Sequence, residues 1–185
     1  VNMALMKYEE ALVDAKRCLK LKDDERAYYN LALVYEELAL FDEAAEAYLK
    51  SLQKNSKVVE THFSYAKLLY RQENIDAAHN ELVQVLQMEP QHLEAILLFS
   101  QVLSAQGNFL EASESLSMAS VHYPEVAQIY ILRGDIQTKL NQPAYAIIDY
   151  TKAIELEPEN AEVYYKRGGA YETIRDYENA LEDYS

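Results

Sequence analysis

Residues 143–158 read PAYAIIDYTKAIELEP, and three positions in this segment recur along the whole chain. Ala146 belongs to a column of alanines, Tyr150 to a column of large side chains, and Pro158 to a column of prolines, all with one constant spacing. Parallel columns with a single period do not arise by chance, so the chain is built from an internal repeat. The columns are Ala44, Ala78, Ala112, Ala146 and Ala180; Tyr48, Leu82, Leu116, Tyr150 and Tyr184; and Pro90, Pro124 and Pro158, with Ser56 at the fourth place.

The residues between these columns follow a helical period. Tyr28, Leu31, Ala32 and Tyr35 lie at i, i+3, i+4 and i+7, which is one stripe of an amphipathic helix. Each repeat is therefore expected to contain two helices of roughly 14 residues, about 20 Å long. Small residues that recur with the same spacing should let the two helices approach closely, because large and small side chains alternate in a packed interface. These small residues are Ala32, Ala66, Ser100, Gly134 and Gly168.

The composition argues against several classes of partner. The chain has 185 residues and a net charge of −14, from 17 Lys and Arg against 31 Asp and Glu. So acidic a surface repels phosphate, and no nucleic-acid partner is expected. No stretch approaches ~20 uninterrupted apolar residues, so no membrane insertion is expected. A single cysteine, Cys18, and no N-glycosylation sequon favour a cytoplasmic location. The start at Val1, without methionine, predicts a segment of a longer protein.

The columns resemble the tetratricopeptide repeat, a 34-residue helix–turn–helix unit. The segments YYKRG at 164–168 and DYTKA at 149–153 are typical of that family. The resemblance implies an all-α fold, a right-handed superhelical solenoid of antiparallel helix pairs that forms one domain overall. It places repeats at 25–58, 59–92, 93–126 and 127–160, a truncated repeat at 161–185, and the second helix of a truncated repeat at 1–24.

Four positions depart from the family pattern. His62 and Ile96 stand where the family has a bulky aromatic residue, and Gln137 replaces a tyrosine. Pro143 opens a second helix, which is tolerated because the first turn of a helix has no N–H partner to lose. None of these changes alters the expected fold.

The resemblance also implies a concave groove, lined by the first helix of each repeat, in which such proteins bind an extended peptide or a partner helix. The charge excess is expected on the second helices, where it solvates the convex face. By register, the candidate groove residues are Tyr29, Asn30, Leu33, Phe63, Lys67, Tyr70, Arg71, Leu97, Leu98, Gln101, Ile131, Leu132, Asp135, Tyr165 and Lys166.

Four aliphatic residues of this set take matching places in adjacent repeats: Leu97, Leu98, Ile131 and Leu132. If they are exposed, they form an apolar strip of the kind that marks a binding site. The alternative, which the sequence leaves open, is that some of them pack against the first helix of the neighbouring repeat.

One binding mode of the family is not expected here. Tetratricopeptide domains that bind chaperone C-termini use a two-carboxylate clamp of Lys, Asn and Arg on three successive first helices. The Lys–Asn pair four residues apart on one first helix is missing, and so is the Lys–Arg pair two repeats later. Asn30 alone does not make a clamp.

No catalytic residue, metal site or cofactor is predicted, so the chain is not expected to be an enzyme. No two histidines share a helix face at i, i+3 or i+4 spacing. Cys18 is expected to be a small core residue of the truncated first repeat, with no histidine beside it. Gly168 and Gly169 lie inside a predicted helix rather than in a phosphate-binding loop. The histidines are His62, His79, His92 and His122.

These observations predict a scaffold or adaptor for protein–protein interaction that holds a peptide or helix of its partner in the groove. One alternative is a structural subunit of a large assembly that packs through its convex face or its ends. Another is a regulatory repeat domain of a larger enzyme. Self-association through open ends of the solenoid is also possible.

Overall fold

The computed structural model describes residues 2–185, with side chains from Tyr8 onward, and over this range it contains eleven helices and no strand. The predicted all-α class is confirmed. In the same range, none of the helices combines the length and apolar character that crossing a membrane requires. The helices are α1 (Asn2–Leu21), α2 (Glu25–Glu37), α3 (Phe41–Lys54), α4 (Val59–Arg71), α5 (Ile75–Met88), α6 (Leu93–Ala105), α7 (Phe109–His122), α8 (Ala127–Lys139), α9 (Pro143–Leu156), α10 (Ala161–Thr173) and α11 (Tyr177–Asp183).

From α2 onward the helices alternate between a first helix of 13 residues and a second helix of 14, until the shorter α11. The prediction of two helices of roughly this length in each repeat is confirmed. The structure falls into two compact units, an N-terminal unit of Val1–Pro90 and a C-terminal unit of Gln91–Ser185. How the family's repeat boundaries divide the chain stays a prediction.

The connection inside each helix pair is a turn with one residue in the left-handed region. In the first pair Ala39, at φ 56°, donates its N–H to the carbonyl of Glu36, and Leu40 donates to the carbonyl of Tyr35. These two bonds form a Schellman motif, which ends the helix and reverses the chain. The same backbone conformation recurs once in each helix pair, at Ala39, Glu73, Gly107, Asn141 and Arg175.

Close packing within the N-terminal unit rests on the small residues that the sequence singled out. Ala32 and Ala66 of the first helices are fully buried, as are Ala44 and Ala78 of the second helices. The hydroxyl of Ser51, near the end of α3, donates to the carbonyl of Glu25 at the start of α2, at 2.7 Å. This bond joins opposite ends of the two helices and fixes their antiparallel arrangement.

In the C-terminal unit the two helices of a pair are packed more tightly, because a tyrosine ring of one helix lies directly on a glycine of the other. A Cβ built on Gly134 would lie 2.6 Å from Cε1 of Tyr150, and one on Gly168 would lie 2.5 Å from Cε1 of Tyr184. Tyr150 is almost completely buried, whereas Tyr184 is 41% exposed. The absence of a side chain at Gly134 is therefore a packing requirement of α8 against α9.

An arginine ties three helices of the C-terminal unit together. The guanidinium of Arg133 on α8 binds both carboxylate oxygens of the buried Asp149 on α9, with distances of 2.6–3.1 Å. Its Nη1 donates to the hydroxyls of Ser117 and Ser120 on α7, each at 3.2 Å. From α8, Arg133 therefore links α7 to α9.

The structure corrects one expectation and confirms two. Cys18 is exposed rather than part of the core, because among the described residues α2 is the main helix against which α1 packs. Pro143 occupies the first turn of α9, as predicted. His62 is buried in the N-terminal unit, at the position where the family has an aromatic residue.

His62 bonds an acceptor with each ring nitrogen. Its Nδ1 lies 2.5 Å from Oε2 of Glu81, and its Nε2 lies 3.1 Å from the backbone carbonyl of Ser56. The carbonyl of Ser56 and an ionised Glu81 both accept hydrogen bonds, so this pair of partners favours the imidazolium form, which carries a proton on each ring nitrogen. The hydrogen bond to Glu81 raises the pKa of His62, against the opposing effect of burial.

We expect the three helical glycines of the C-terminal unit to respond differently to alanine. Gly134→Ala forces a methyl group onto the buried, hydrogen-bonded ring of Tyr150 and should lower the free energy of unfolding by about 1–3 kcal/mol. Gly168→Ala should cost less, since Tyr184 is partly exposed and can move. Urea denaturation of the three single variants measures the effect.

Gly169→Ala is the matched control, because its Cβ would meet only the hydroxyl of Tyr184, at 3.9 Å. It should stabilise the helix by about 0.5–1 kcal/mol. Equal effects at Gly134 and Gly169 would contradict the packing role of Gly134.

The His62–Glu81 pair predicts a stability that falls as the pH rises. Because the pKa of His62 is raised in the folded state, the pair's contribution is complete below the unfolded-state pKa of about 6.5 and is lost as the pH rises through the folded-state value. The free energy of unfolding of the Glu81→Gln variant should depend less on pH between about pH 6 and pH 9. His122→Gln, at an exposed histidine, should leave the wild-type curve unchanged. Parallel curves for wild type and Glu81→Gln would refute the pairing.

Candidate functional site

In the N-terminal unit, the candidate residues of α2 lie beside those of α4. The hydroxyls of Tyr29 and Ser64 are 3.3 Å apart, which joins the two first helices across the candidate face. Asn30 is exposed, and Leu33 is 37% exposed. A recess of about 350 Å³ opens between the starts of the two helices, lined by Glu25, Arg26, Tyr29, Val58, Glu60 and Thr61.

A carboxylate on this face is held from two sides. Glu36 accepts the hydroxyl of Tyr48 at 2.5 Å and the guanidinium of Arg71 at 3.1 Å. Burial of the Tyr48 hydroxyl and its bond to Glu36 raise the pKa of Tyr48 far above its usual range. The candidate residue Arg71 is thus already paired with Glu36 of the same chain.

The other candidates on α4 are a mixed set. The ammonium of Lys67 is exposed and lies 5.7 Å from the centre of the Phe63 ring. Phe63 and Tyr70 are half-buried. The face of the N-terminal unit therefore offers aromatic rings with cations beside them.

One of the four residues of the candidate aliphatic strip belongs to the core of the C-terminal unit. Leu97, Leu98 and Leu132 are half-buried, but Ile131 is only 7% exposed and belongs to the core that contains Tyr150. For Ile131 the structure shows the alternative that the sequence left open, since both α9 and α10 pack against α8 and contribute to the core around it. Gln101, on α6, is half-buried.

Asp135, Lys166 and Tyr165 come together at the other end of this face. Asp135 accepts the hydroxyl of Tyr150 and the ammonium of Lys166, each at 2.8 Å. Tyr165 is 70% exposed. These residues surround a recess of about 490 Å³ lined by Asp135, Thr138, Lys139, Tyr150, Tyr165, Lys166, Gly169 and Ala170.

Ion pairs stabilise the charged form of Lys166. Burial by itself would lower the pKa of Lys166, but the ion pairs with Asp135 and Glu162 outweigh it, so the pKa is raised. Lys139, which also lines the recess, donates to the hydroxyl of Ser104 at 2.8 Å. The recess thus presents two ammonium groups, one carboxylate and an exposed phenol ring.

The second-helix tyrosines are not among the site residues that the repeat register predicts. Tyr48 and Tyr150 each send a hydroxyl to a first-helix carboxylate, Glu36 in one unit and Asp135 in the other. The sequence does contain a signal for this shared role, because both tyrosines stand in the same column of the repeat. Only the structure shows that the hydroxyl end of this core residue reaches the candidate face.

Within the part of the chain that the structure describes, no three His, Cys, Asp or Glu side chains meet in a group that could hold a metal ion. His92 accepts the N–H of Ala95 and so caps the start of α6. His62 is occupied by Glu81 and Ser56.

Three family models match the chain. Two are described as tetratricopeptide repeat and match residues 25–55 and 69–136, and the third is described as TPR repeat and matches 134–174. Together they cover most of the sequence.

Among known proteins, human Protein O-mannosyl-transferase TMTC3 is 24% identical over 160 residues, which are 86% of this chain and 15% of that protein. Human DnaJ homolog subfamily C member 7 is 26% identical over 163 residues, 80% of this chain and 33% of that protein. The Hsp70-Hsp90 organizing protein of Triticum aestivum is 25% identical over 218 residues, 96% of this chain and 37% of that protein. The chain thus spans about a third or less of the first curated relatives that it matches.

Solved structures share the fold. MamA from Desulfovibrio magneticus RS-1 superposes with a TM-score of 0.83 at 20% identity, over 88% of this chain and 92% of that one. YrrB, described as a TPR protein with an unusual peptide-binding site, gives 0.77 at 17% identity, over 91% and 88%. With its repeated helix pairs, the chain belongs to the tetratricopeptide repeat family, whose members are protein–protein interaction scaffolds.

Proposed function

We propose that this chain holds a peptide or a helix of a partner protein against its first helices, with the recess beside Tyr165 as the main contact of the C-terminal unit. The observation that carries the proposal is Tyr165 itself. Its ring is 70% exposed at the edge of a recess of about 490 Å³. Tyrosine is favoured at protein interfaces because its large ring and its hydroxyl can both contact a partner.

The first-helix face of the C-terminal unit, which includes the recess, suits a segment that has both apolar and charged groups. Leu98 and Leu132 offer aliphatic surface, while Lys166 and Asp135 offer charges of both signs. The leucines are already half-buried, so each contributes less than the ~2 kcal/mol of a fully buried aliphatic side chain. We therefore expect a short peptide to bind with about micromolar affinity at best.

The proposal does not include a carboxylate clamp. The wheat relative is named an Hsp70-Hsp90 organizing protein, but the positions that would form a clamp in the N-terminal unit hold Tyr29 with Leu33 on α2 and Phe63 with Lys67 on α4. Asn30 stands alone on α2. Without the Lys–Asn pair, this face has no fixed pair of donors for two carboxylates.

A second candidate is a repeat segment of a larger enzyme, whose activity would reside elsewhere in the polypeptide. The similarity to Protein O-mannosyl-transferase TMTC3 favours this second candidate, because the matched region makes up 15% of that protein and the rest lies outside it. In either case the chain itself binds protein and does not catalyse a reaction.

We expect Leu98→Glu/Leu132→Glu to lose peptide binding. A peptide selected against the wild-type chain from a random display library would be titrated by fluorescence anisotropy. Two carboxylates placed in the aliphatic part of the face should weaken binding at least about tenfold.

The matched control makes the same change at two exposed leucines of second helices, Leu49→Glu/Leu181→Glu, and should bind the selected peptide like wild type. Circular dichroism first establishes that both double variants fold. Equal loss in both variants, or no loss in either, would contradict binding at the first helices.

Substitutions at Tyr165 and at Ile131 should have different effects, the first on peptide binding and the second on stability, although the two residues share one column of the repeat. Tyr165→Ala removes a largely exposed ring and should weaken peptide binding while changing the free energy of unfolding by less than about 1 kcal/mol. Ile131→Ala empties a buried site and should destabilise the chain by about 2–5 kcal/mol. Urea denaturation and the same anisotropy titration measure both effects, and a reversed pattern would refute the assignment.

A further inference from the structure

Large apolar side chains are exposed on the second helices of the C-terminal unit. Those on α7 and α9 are each between 61% and 77% exposed. Contiguous apolar patches on a protein surface mark interaction sites, whereas single exposed apolar residues are ordinary. We refer to these residues as the second-helix patch, which consists of Leu110, Met118, Val121, Tyr145 and Ile148.

The repeats of the chain itself show that the fold does not require apolar residues at these positions. Leu110 takes the place that Asp76 and Asp42 hold in the two preceding helix pairs, and Val121 takes the place of Gln87 and Gln53. On α9 and α7, the remaining patch residues likewise replace mostly polar ones. Met118 corresponds to Lys50 and Gln84, Ile148 to Glu46 and Asn80, and Tyr145 to Glu43 and Ala77.

On the solvent side of α7, Met118 and Val121 are neighbours at i and i+3, while Glu114 and Ser117 lie between Leu110 and Val121. Leu110 and Val121 are separated by about three turns, which is roughly 16 Å along one face of the helix. Met118 lies between them along the axis. Arg133 of α8 links Ser117 and Ser120 of α7 to Asp149 of α9, and on α9 Tyr145 and Ile148 are likewise neighbours at i and i+3.

The surroundings of the patch are acidic. Glu111 and Glu114 are exposed on α7 among the patch residues, while Glu155 on α9 is paired with Lys152. The patch thus combines exposed apolar side chains with negative charges between and beside them. A complementary ligand has an apolar stripe with positive charges beside it.

We propose that the second-helix patch binds an amphipathic helix of a partner protein that carries Lys or Arg beside its apolar stripe. A helix fits because α7 has no free backbone groups along its side for an extended strand to bond, whereas a partner helix satisfies its own. Its anchors at i, i+3 or i+4, i+7 and i+11 would cover the three turns from Leu110 to Val121. This site goes beyond the first-helix function and uses the opposite helices of the pairs.

A second copy of the chain is a poorer occupant. Pairing this face with itself would bring Glu111 and Glu114 near their own copies, and each chain has a net charge of −14. The same charge opposes an anionic membrane surface.

The test uses the full chain of 185 residues and a synthetic helical peptide with leucines at i, i+4, i+7 and i+11 flanked by lysines. A twin peptide has glutamate in place of every lysine. By fluorescence anisotropy at physiological salt, the lysine peptide should bind the chain at least about tenfold more tightly than its twin.

Leu110→Asp/Val121→Gln, which installs the residues of the corresponding positions in the N-terminal unit, should weaken binding of the lysine peptide at least about tenfold. The added aspartate would by itself attract this peptide, so a loss identifies the apolar contact. The first-helix variant Leu98→Glu/Leu132→Glu should bind the lysine peptide like wild type.

Three results would overturn the proposal. One is that the lysine peptide does not bind the chain, and another is that it binds wild type and Leu110→Asp/Val121→Gln alike. The third is a wild-type dimer in sedimentation analysis that Leu110→Asp/Val121→Gln converts to a monomer, because a second copy would then cover the patch. Thermal unfolding of both variants by circular dichroism excludes loss of the fold as the cause.

Discussion

Contact between a small residue of a first helix and a large residue of the following helix determines how each pair packs. Where the large residue is Tyr150, the small one is Gly134, and no methyl group fits between them. Where it is Tyr48, the small one is Ala32, and both are fully buried. Because the tyrosine ring crosses the interface, its hydroxyl emerges on the first-helix side. The core contact thus also sets the polar chemistry of the candidate face.

One carboxylate position shows how the repeats vary without losing the fold. Glu81, Asp149 and Asp183 occupy the same place in three of the helix pairs, and each binds a cation of the preceding first helix. The cation is Arg133 or Arg167 in the C-terminal unit but His62 in the N-terminal unit, where it comes from a different register position. Only the His62 pair can lose its charge near neutral pH.

Much of the fold could be predicted from the sequence because each helix pair repeats the same short-range pattern. The alanine and small-residue columns predicted the buried contacts, and the periodicity predicted helix lengths. The exposure of single residues could not be predicted in this way, since it depends on what covers them. Ile131 shares a column with Tyr165, yet α9 and α10 bury the former while the ring of the latter stays 70% exposed. Cys18 likewise followed the small-residue pattern, but no helix covers its side of α1 within the described part of the chain.

The left-handed turn residues have a practical consequence for chemical labelling. Ala39 and Glu73 in one unit, and Gly107, Asn141 and Arg175 in the other, share one backbone conformation and are all exposed. Most of them carry a Cβ there, at a cost of roughly 1–2 kcal/mol each, so the turn accepts side chains of very different size and charge. Each turn is therefore an equivalent attachment point for a dye or spin label. The helix pair itself sets the distance between this point and both candidate binding faces.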